Sequence, residues 1–292
     1  MSILPLAALL LLQAGAAADV TAKPRALSVT VTDDKGRPIE GLGPEEVAVT
    51  ENGVAREVTR LELDRRPLTL AVIVDTSQPM SGMYRLHMVE PIIQFLTRLP
   101  EGTRFTVWTT GDRPTRIVDD YTTDAAAAAK ALRRVFPQGG NTLLDALVEV
   151  SRDLAKREGE RTAVVVVTGL GIGFRNYDRQ QVVREGQASG ATFLSLQIEE
   201  GRVNPGAERA GMGEVESSDY EYVLGGLADK SGGRRESTLS AMGISVDLAK
   251  LAAELRGQYQ LAYLGLPGVK DPKVKVTVAR PGAHVRVGSP RT

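Results

Sequence analysis

The side chains best suited to chemistry gather in three short segments, each placed where a strand ends or a helix begins. Asp75-Thr76-Ser77-Gln78-Pro79-Met80-Ser81 follows the apolar run Leu68 to Val74, and Thr168-Gly169-Leu170-Gly171 follows Ala163 to Val167. Between them, Gly139-Gly140-Asn141-Thr142 is a glycine turn that delivers a threonine to a helix start. In an open parallel sheet, ligands bind beyond the carboxyl ends of the strands, so a doubly wound sheet brings the three segments to one edge. A plainer role is also open to Asp75 and Ser77, which can cap a helix beginning near Ser81 and satisfy loop backbone.

Other chemistries find little support. Hydrolysis needs a nucleophile, a base and a group that orients the base. The chain has 2 histidines, His87 in a helical stretch and His284 in the last strand, and neither belongs to the three segments. Ser77 follows Asp75-Thr76 and lacks the Gly-x-Ser-x-Gly elbow. Asp119-Asp120 and Glu199-Glu200 read as solvated turns. A phosphate loop at Gly169-Leu170-Gly171-Ile172-Gly173 would need glycine where Phe174 stands, and Asp178 at the next helix start repels an anion. The expectation is a protein that is not an enzyme. Lys plus Arg and Asp plus Glu are both 36 and aromatics are 4%, so neither a basic footprint nor stacking platforms for nucleic acid are present. With no cysteine, disulfides, thiolate metal sites and a lipidated cysteine are excluded.

The elements that must position the segments follow from periodicity. Leu68 to Val74 and Ala163 to Val167 are continuously apolar, as strands covered on both faces are. Phe105 to Thr109, Thr192 to Ile198 and Arg234 to Ser237 complete the strand set, with Trp108 assigned to the core. Helices are expected over Ser81 to Leu99, with Leu86, Val89, Ile93 and Leu96 inward, and from an Asp124 cap to Val135. Others run over Thr142 to Arg157, with Leu144, Leu147, Val148 and Leu154 inward, Asp178 to Ser189, Tyr220 to Asp229 and Val246 to Arg256. Strand–helix alternation over residues 67–257 implies an α/β fold, a doubly wound, mostly parallel sheet with helices on both faces.

The flanks are β-rich. Ala26 to Val31, Glu46 to Thr50 with its Asn52-Gly53 turn, and Arg56 to Leu63 lie in residues 19–66. Tyr259 to Leu264, Val274 to Val278 and His284 to Val287 lie in residues 258–292, and the two flanks are expected to pair into a small β annex. The polar stretch Glu199 to Ser218 reads as an exposed loop and a candidate surface for a partner. Residues 1–18 read as an export signal. Leu4 to Leu12 is too short an apolar run to span a membrane, and Ala14-Gly15-Ala16-Ala17-Ala18 supplies small residues for cleavage, although a basic start is missing. The mature chain then has no membrane span and is periplasmic or secreted.

Strand-Asp-x-Ser, a glycine turn with Thr, and an apolar strand ending in Thr resemble the von Willebrand factor type A domain. The flanks are similar to the secreted bacterial proteins described as von Willebrand factor A-related, in the Val29 to Pro38 strand motif and in Leu248 to Leu261, a helix leading into a Gln-Tyr strand. The resemblance implies protein–protein or cell-surface interaction through the strand-end face. It also implies a metal-ion-dependent adhesion site, onto which Asp75, Ser77 and Thr142 map as ligands. The second serine position is Pro79 and the later aspartate position is Gly169, so one hydroxyl and one carboxylate are missing. Mg²⁺ wants near-octahedral oxygen ligation. The expectation is a degenerate site with no cofactor, or a weakly bound divalent cation such as Mg²⁺, completed by a carboxylate of an unidentified protein partner. A metal-free scaffold is the other reading. Ser81 and Asp145 are reserve ligands.

Overall fold

The computed structural model describes residues 22–169, 173–199 and 212–289, with only the helical backbone for 212–217. The expected export signal, Leu170 to Ile172 of the glycine run and most of Glu199 to Ser218 lie outside the described residues. Along the chain come the strands β1 (Pro24–Thr32), β2 (Val47–Glu51), β3 (Val54–Arg56), β4 (Val58–Leu63) and β5 (Leu68–Val74). A helix follows, built from α1 (Ser81–Met83), a π-helical turn over Tyr84–Met88 and α2 (Val89–Thr97). Then come β6 (Arg104–Thr109), β7 (Thr115–Thr122), α3 (Ala125–Arg134), α4 (Leu143–Ala155), β8 (Arg161–Gly169), α5 (Arg179–Ala188) and β9 (Thr192–Ile198). The chain ends with α6 (Met212–Ser231), β10 (Arg234–Thr238), α7 (Ala241–Arg256), β11 (Tyr259–Leu264), β12 (Val274–Val278) and β13 (His284–Val287).

The central sheet has the order β10-β9-β8-β5-β6-β7, parallel throughout except for β7 at one edge. Its apolar runs are explained by two-sided cover. Leu68, Leu70, Val72 and Val74 of β5 pack with residues of α2, α3 and α7, while Ala71 and Ile73 face α4 and α6. Fully burying one such branched side chain stabilises by about 1.5–3 kcal/mol. Asp124 caps α3 as expected, its carboxylate accepting the Ala126 and Ala127 N–H groups. Leu144, Leu147, Val148 and Leu154 of α4 are buried, and so is Trp108.

Three expectations differ from the structure. Leu86 does not face the core but is 76% exposed, because the π turn over Tyr84–Met88 rotates the helix face so that Tyr84, Met88 and Ile92 are buried instead. The turn precedes Pro91, which has no N–H to give the carbonyl one helical turn back. Asp119-Asp120 is solvated but sits in strand β7, where Asp120 takes φ 41° at an irregular register. Of the proposed loop Glu199 to Ser218, Met212 onward is helical.

The flanks form the annex. One sheet has the order β13-β1-β11-β4 and the other β12-β2-β3, all antiparallel. Leu27, Val29 and Val31 of β1 pack with Val47, Val49, Tyr259, Leu261 and Val276 between the two sheets. Two buried charge clusters fix the annex to the lower, amino-terminal side of the central sheet. Arg161 at the start of β8 donates to the Asp64 carbonyl at 2.7 Å and to Gln258 Oε1 at 3.0 Å, with its Nε 3.6 Å from the Asp64 carboxylate. Glu254 of α7, fully buried, lies 2.5 Å from Arg286 of β13 and 3.6 Å from Arg234 of β10.

Candidate functional site

β5 lies between β8 and β6, and the chain leaves it in one direction and later returns on the other side. This is a topological switch point, where strand-end loops diverge and leave room for a ligand. The three segments converge there. The Gln78 N–H bonds the Gly139 carbonyl at 2.9 Å, the Gln138 N–H bonds the Thr76 carbonyl at 2.9 Å, and Asn141 bridges to both Gly111 and Gly173.

Asp75, at the end of β5, is 2% exposed. Its Oδ1 accepts the Ser77 N–H at 2.9 Å. Its Oδ2 accepts from Asn141 Nδ2 at 2.8 Å, Thr168 Oγ1 at 3.1 Å and the Gly169 N–H at 3.0 Å. Burial pushes the carboxyl above its ordinary range, and the hydrogen bonds from Ser77, Gly169 and Thr168 pull it back only in part. Ser77 lies beside Asp75 as the resemblance implies. Thr142 does not turn toward it: its hydroxyl donates to the Thr110 carbonyl at the end of β6, at 2.7 Å. The place expected for the threonine is taken by Asn141, which sequence reasoning left without a role. Its Oδ1 accepts the Leu143 N–H at the start of α4, and its amide protons bridge Asp75 and Thr168. An asparagine two residues ahead of the first helical residue was the available signal, since asparagine at a helix start favours capping the backbone with its side chain.

The missing carboxylate also leaves a physical trace. A Cβ built on Gly169 would lie 2.3 Å from Met80 Sδ, so the thioether fills the space that a side chain at this position would need. Asp145 points away, accepting from the Asn176 backbone and side chain at 2.8 and 2.7 Å. Ser81 opens α1 and is not among the donors to Asp75. Among the described residues, no group of three His, Cys, Asp or Glu side chains is arranged to hold a metal ion. A single carboxylate whose oxygens already accept four donors from the chain is a poor fit to the oxygen shell that Mg²⁺ requires.

The glycines serve packing. A Cβ on Gly140 would lie 2.0 Å from the Phe174 ring, and one on Gly173 would lie 2.3 Å from Tyr220 Oη. His87 is exposed on the π turn, and His284 bonds Asp34 in the annex at 2.9 Å.

Comparison with known proteins gives a consistent account of the fold. Residues 70–172 match the family model described as the von Willebrand factor type A domain. The structure is similar to the von Willebrand factor type A protein from Catenulispora acidiphila, with 13% identity over 92% of this chain and 73% of that one, at a TM-score of 0.51. Two weaker likenesses have a TM-score of 0.49. Proximal thread matrix protein 1 from the mussel byssus shares 17% identity over 77% of this chain and 50% of that one. The von Willebrand factor domain of the type V pili tip protein Mfa5 from Porphyromonas gingivalis shares 11% over 64% and 94%. No curated protein matches the chain.

Proposed function

We propose, from the premise that this chain carries a von Willebrand factor type A domain, that it is an exported protein-interaction module whose recognition face works without a resident cation. Domains of this type generally mediate protein interaction or adhesion and are not usually enzymes. The observation that carries the cation-free reading is the environment of Asp75. A cation held there would have to displace Asn141 and compete with two backbone N–H groups. It would find Met80 where a second carboxylate belongs. Charge count weighs heavily in cation affinity, and a single carboxylate supplies little of it. Export rests on the apolar run Leu4 to Leu12 and on the small residues up to Ala18. Among the described residues no helix is long and apolar enough to cross a membrane.

The test is thermal unfolding of the mature chain in Mg²⁺, Mn²⁺ or EDTA, since a ligand that binds only the folded state raises the midpoint by mass action. Equal midpoints are expected in all three. Asp75→Ala should lower stability by about 1–3 kcal/mol, because Asn141 and two backbone N–H groups lose their acceptor, and it should do so equally with and without cation. A cation-dependent rise that Asp75→Ala abolishes would sink the reading.

A further inference from the structure

Beside the Asp75 loop, the end of the β6–β7 hairpin and the last turn of α3 enclose an open groove of about 450 Å³. Thr76, Thr109 and Thr115 line it together with Arg134, Val135 and Phe136. Phe136 is 68% exposed, and the Arg85 guanidinium lies 4.6 Å from its ring centroid. Two basic side chains nearby are paired, Arg133 with Glu90 at 2.8 Å and Arg116 with Asp153 at 3.0 Å, while Arg113 on the β6–β7 turn is exposed and, among the described residues, without an ion pair. Arg85 and Arg134 have no carboxylate partner among the described residues, and no acidic residue is among those lining the groove. The acids next in sequence to the lining residues are Asp75, which is buried, and Asp112, which lies against Gly139. Thr76 Oγ1 accepts the Gly111 N–H at 3.1 Å, which leaves its own proton to donate.

A chain of zero formal net charge that pairs most of its described arginines thus presents Arg85 and Arg134 without carboxylate partners at this groove, Arg85 stacked on the exposed Phe136 ring and Arg113 on the adjoining turn. Guanidinium groups bind carboxylates through two parallel N–H donors, and a stacked one keeps that edge free. We propose that this groove binds an acidic, extended segment of a protein partner, its carboxylates meeting Arg134 and Arg85 and its backbone lying against Phe136 and the threonine hydroxyls. The proposal rests on the cation-free reading above, because it supplies the positive charge from arginine. The apolar contribution of Val135 and Phe136, without any lysine cluster, favours a peptide over a phosphate ligand.

The experiment is a titration of the ¹⁵N-labelled mature chain in EDTA with hexaglutamate, hexaglutamine or inorganic phosphate. Hexaglutamate should shift the Thr76, Gly111, Thr115 and Phe136 amides to saturation, and hexaglutamine should not. Arg134→Glu should weaken the fitted Kd by about tenfold or more, and Arg85→Gln by less, as loss of a charge pair at a binding surface does. Three results overturn the proposal: no saturating shifts, equal shifts around the unpaired Arg65 and Arg98 elsewhere, or tighter binding of phosphate than of hexaglutamate at these amides. Failure of the underlying reading has a separate signature. Adding MgCl₂ without EDTA would then move the Asn141 and Gly169 amides, whatever the groove does.

Discussion

At the scale of single residues, Asp75 and Asn141 form a polar unit that is complete within the chain. A buried carboxylate left without donors costs several kcal/mol, and here the amide of Asn141 supplies protons where a cation would have supplied charge. Met80 completes the arrangement by filling the space over Gly169. The unit was only partly legible in the sequence. The spacing of Asp75, Ser77 and Thr142 identifies the loops, and the absence of oxygen at Pro79 and Gly169 is plain. Which side chain reaches Asp75 is set by how the Gly139 to Thr142 turn crosses the end of β6, where Thr110 captures the Thr142 hydroxyl, and spacing does not encode that crossing. The reverse design follows. Gly169→Asp combined with Met80→Ala and Pro79→Ser restores a second carboxylate and a hydroxyl and clears the space. This variant is expected to acquire a Mg²⁺-dependent rise in stability of about 2–3 kcal/mol at a hundredfold excess over Kd, read by thermal unfolding, whereas Gly169→Asp alone should only lose stability.

At the scale of elements, what the sequence conveyed best were strands whose two faces are both covered. β5 and β8 read as unbroken apolar runs because alternate residues serve separate cores. β7 was missed because an edge strand needs little apolar character, and its Asp119-Asp120 pair imitates a turn. Leu86 misled because helical spacing presumes 3.6 residues per turn, which the π turn before Pro91 breaks. The join between annex and central sheet is also an element-scale device. Burial alone would raise the Asp64 carboxyl, but the hydrogen bonds of Arg66 and the charges of Arg161 and Arg66 outweigh it and hold the group below its ordinary value. Its folded pKa is depressed, so its contribution is present above the ordinary value and is lost as pH falls through the folded one. Asp64→Asn should therefore cost about 3 kcal/mol at pH 7, the low end for a broken buried pair because Arg161 keeps its carbonyl acceptors. The cost should shrink as pH falls below the ordinary carboxylate range and the wild type itself becomes protonated, and urea unfolding at neutral and at progressively acidic pH reads the difference.

At the scale of the whole molecule, the candidate site and the annex stand at opposite ends of the central strands. The three converging loops lie at the carboxyl ends of β5, β6 and β8, and Arg161 with Asp64 lies at their starts. The amino-terminal segment bears on the same scale, since export decides in which compartment the molecule folds. If residues 1–18 direct export, the chain recovered from outside the cytoplasm should begin at Asp19, as N-terminal sequencing would show, and an intact Met1 there would refute cleavage. The pairing of β1 gives this a temporal consequence. Pro24 to Val29 find their partners at Leu264 to Tyr259, and Val29 to Thr32 at Val287 to His284. A ribosome or translocon delivers the first strand of this sheet long before its neighbours exist, and contacts of such sequence separation form slowly. The central strands can assemble first, while β1 must wait with an unpaired edge until the last strands emerge. Shielding β1 through that interval is a task for holding factors, and a chain that stalls before residue 259 leaves it exposed for good.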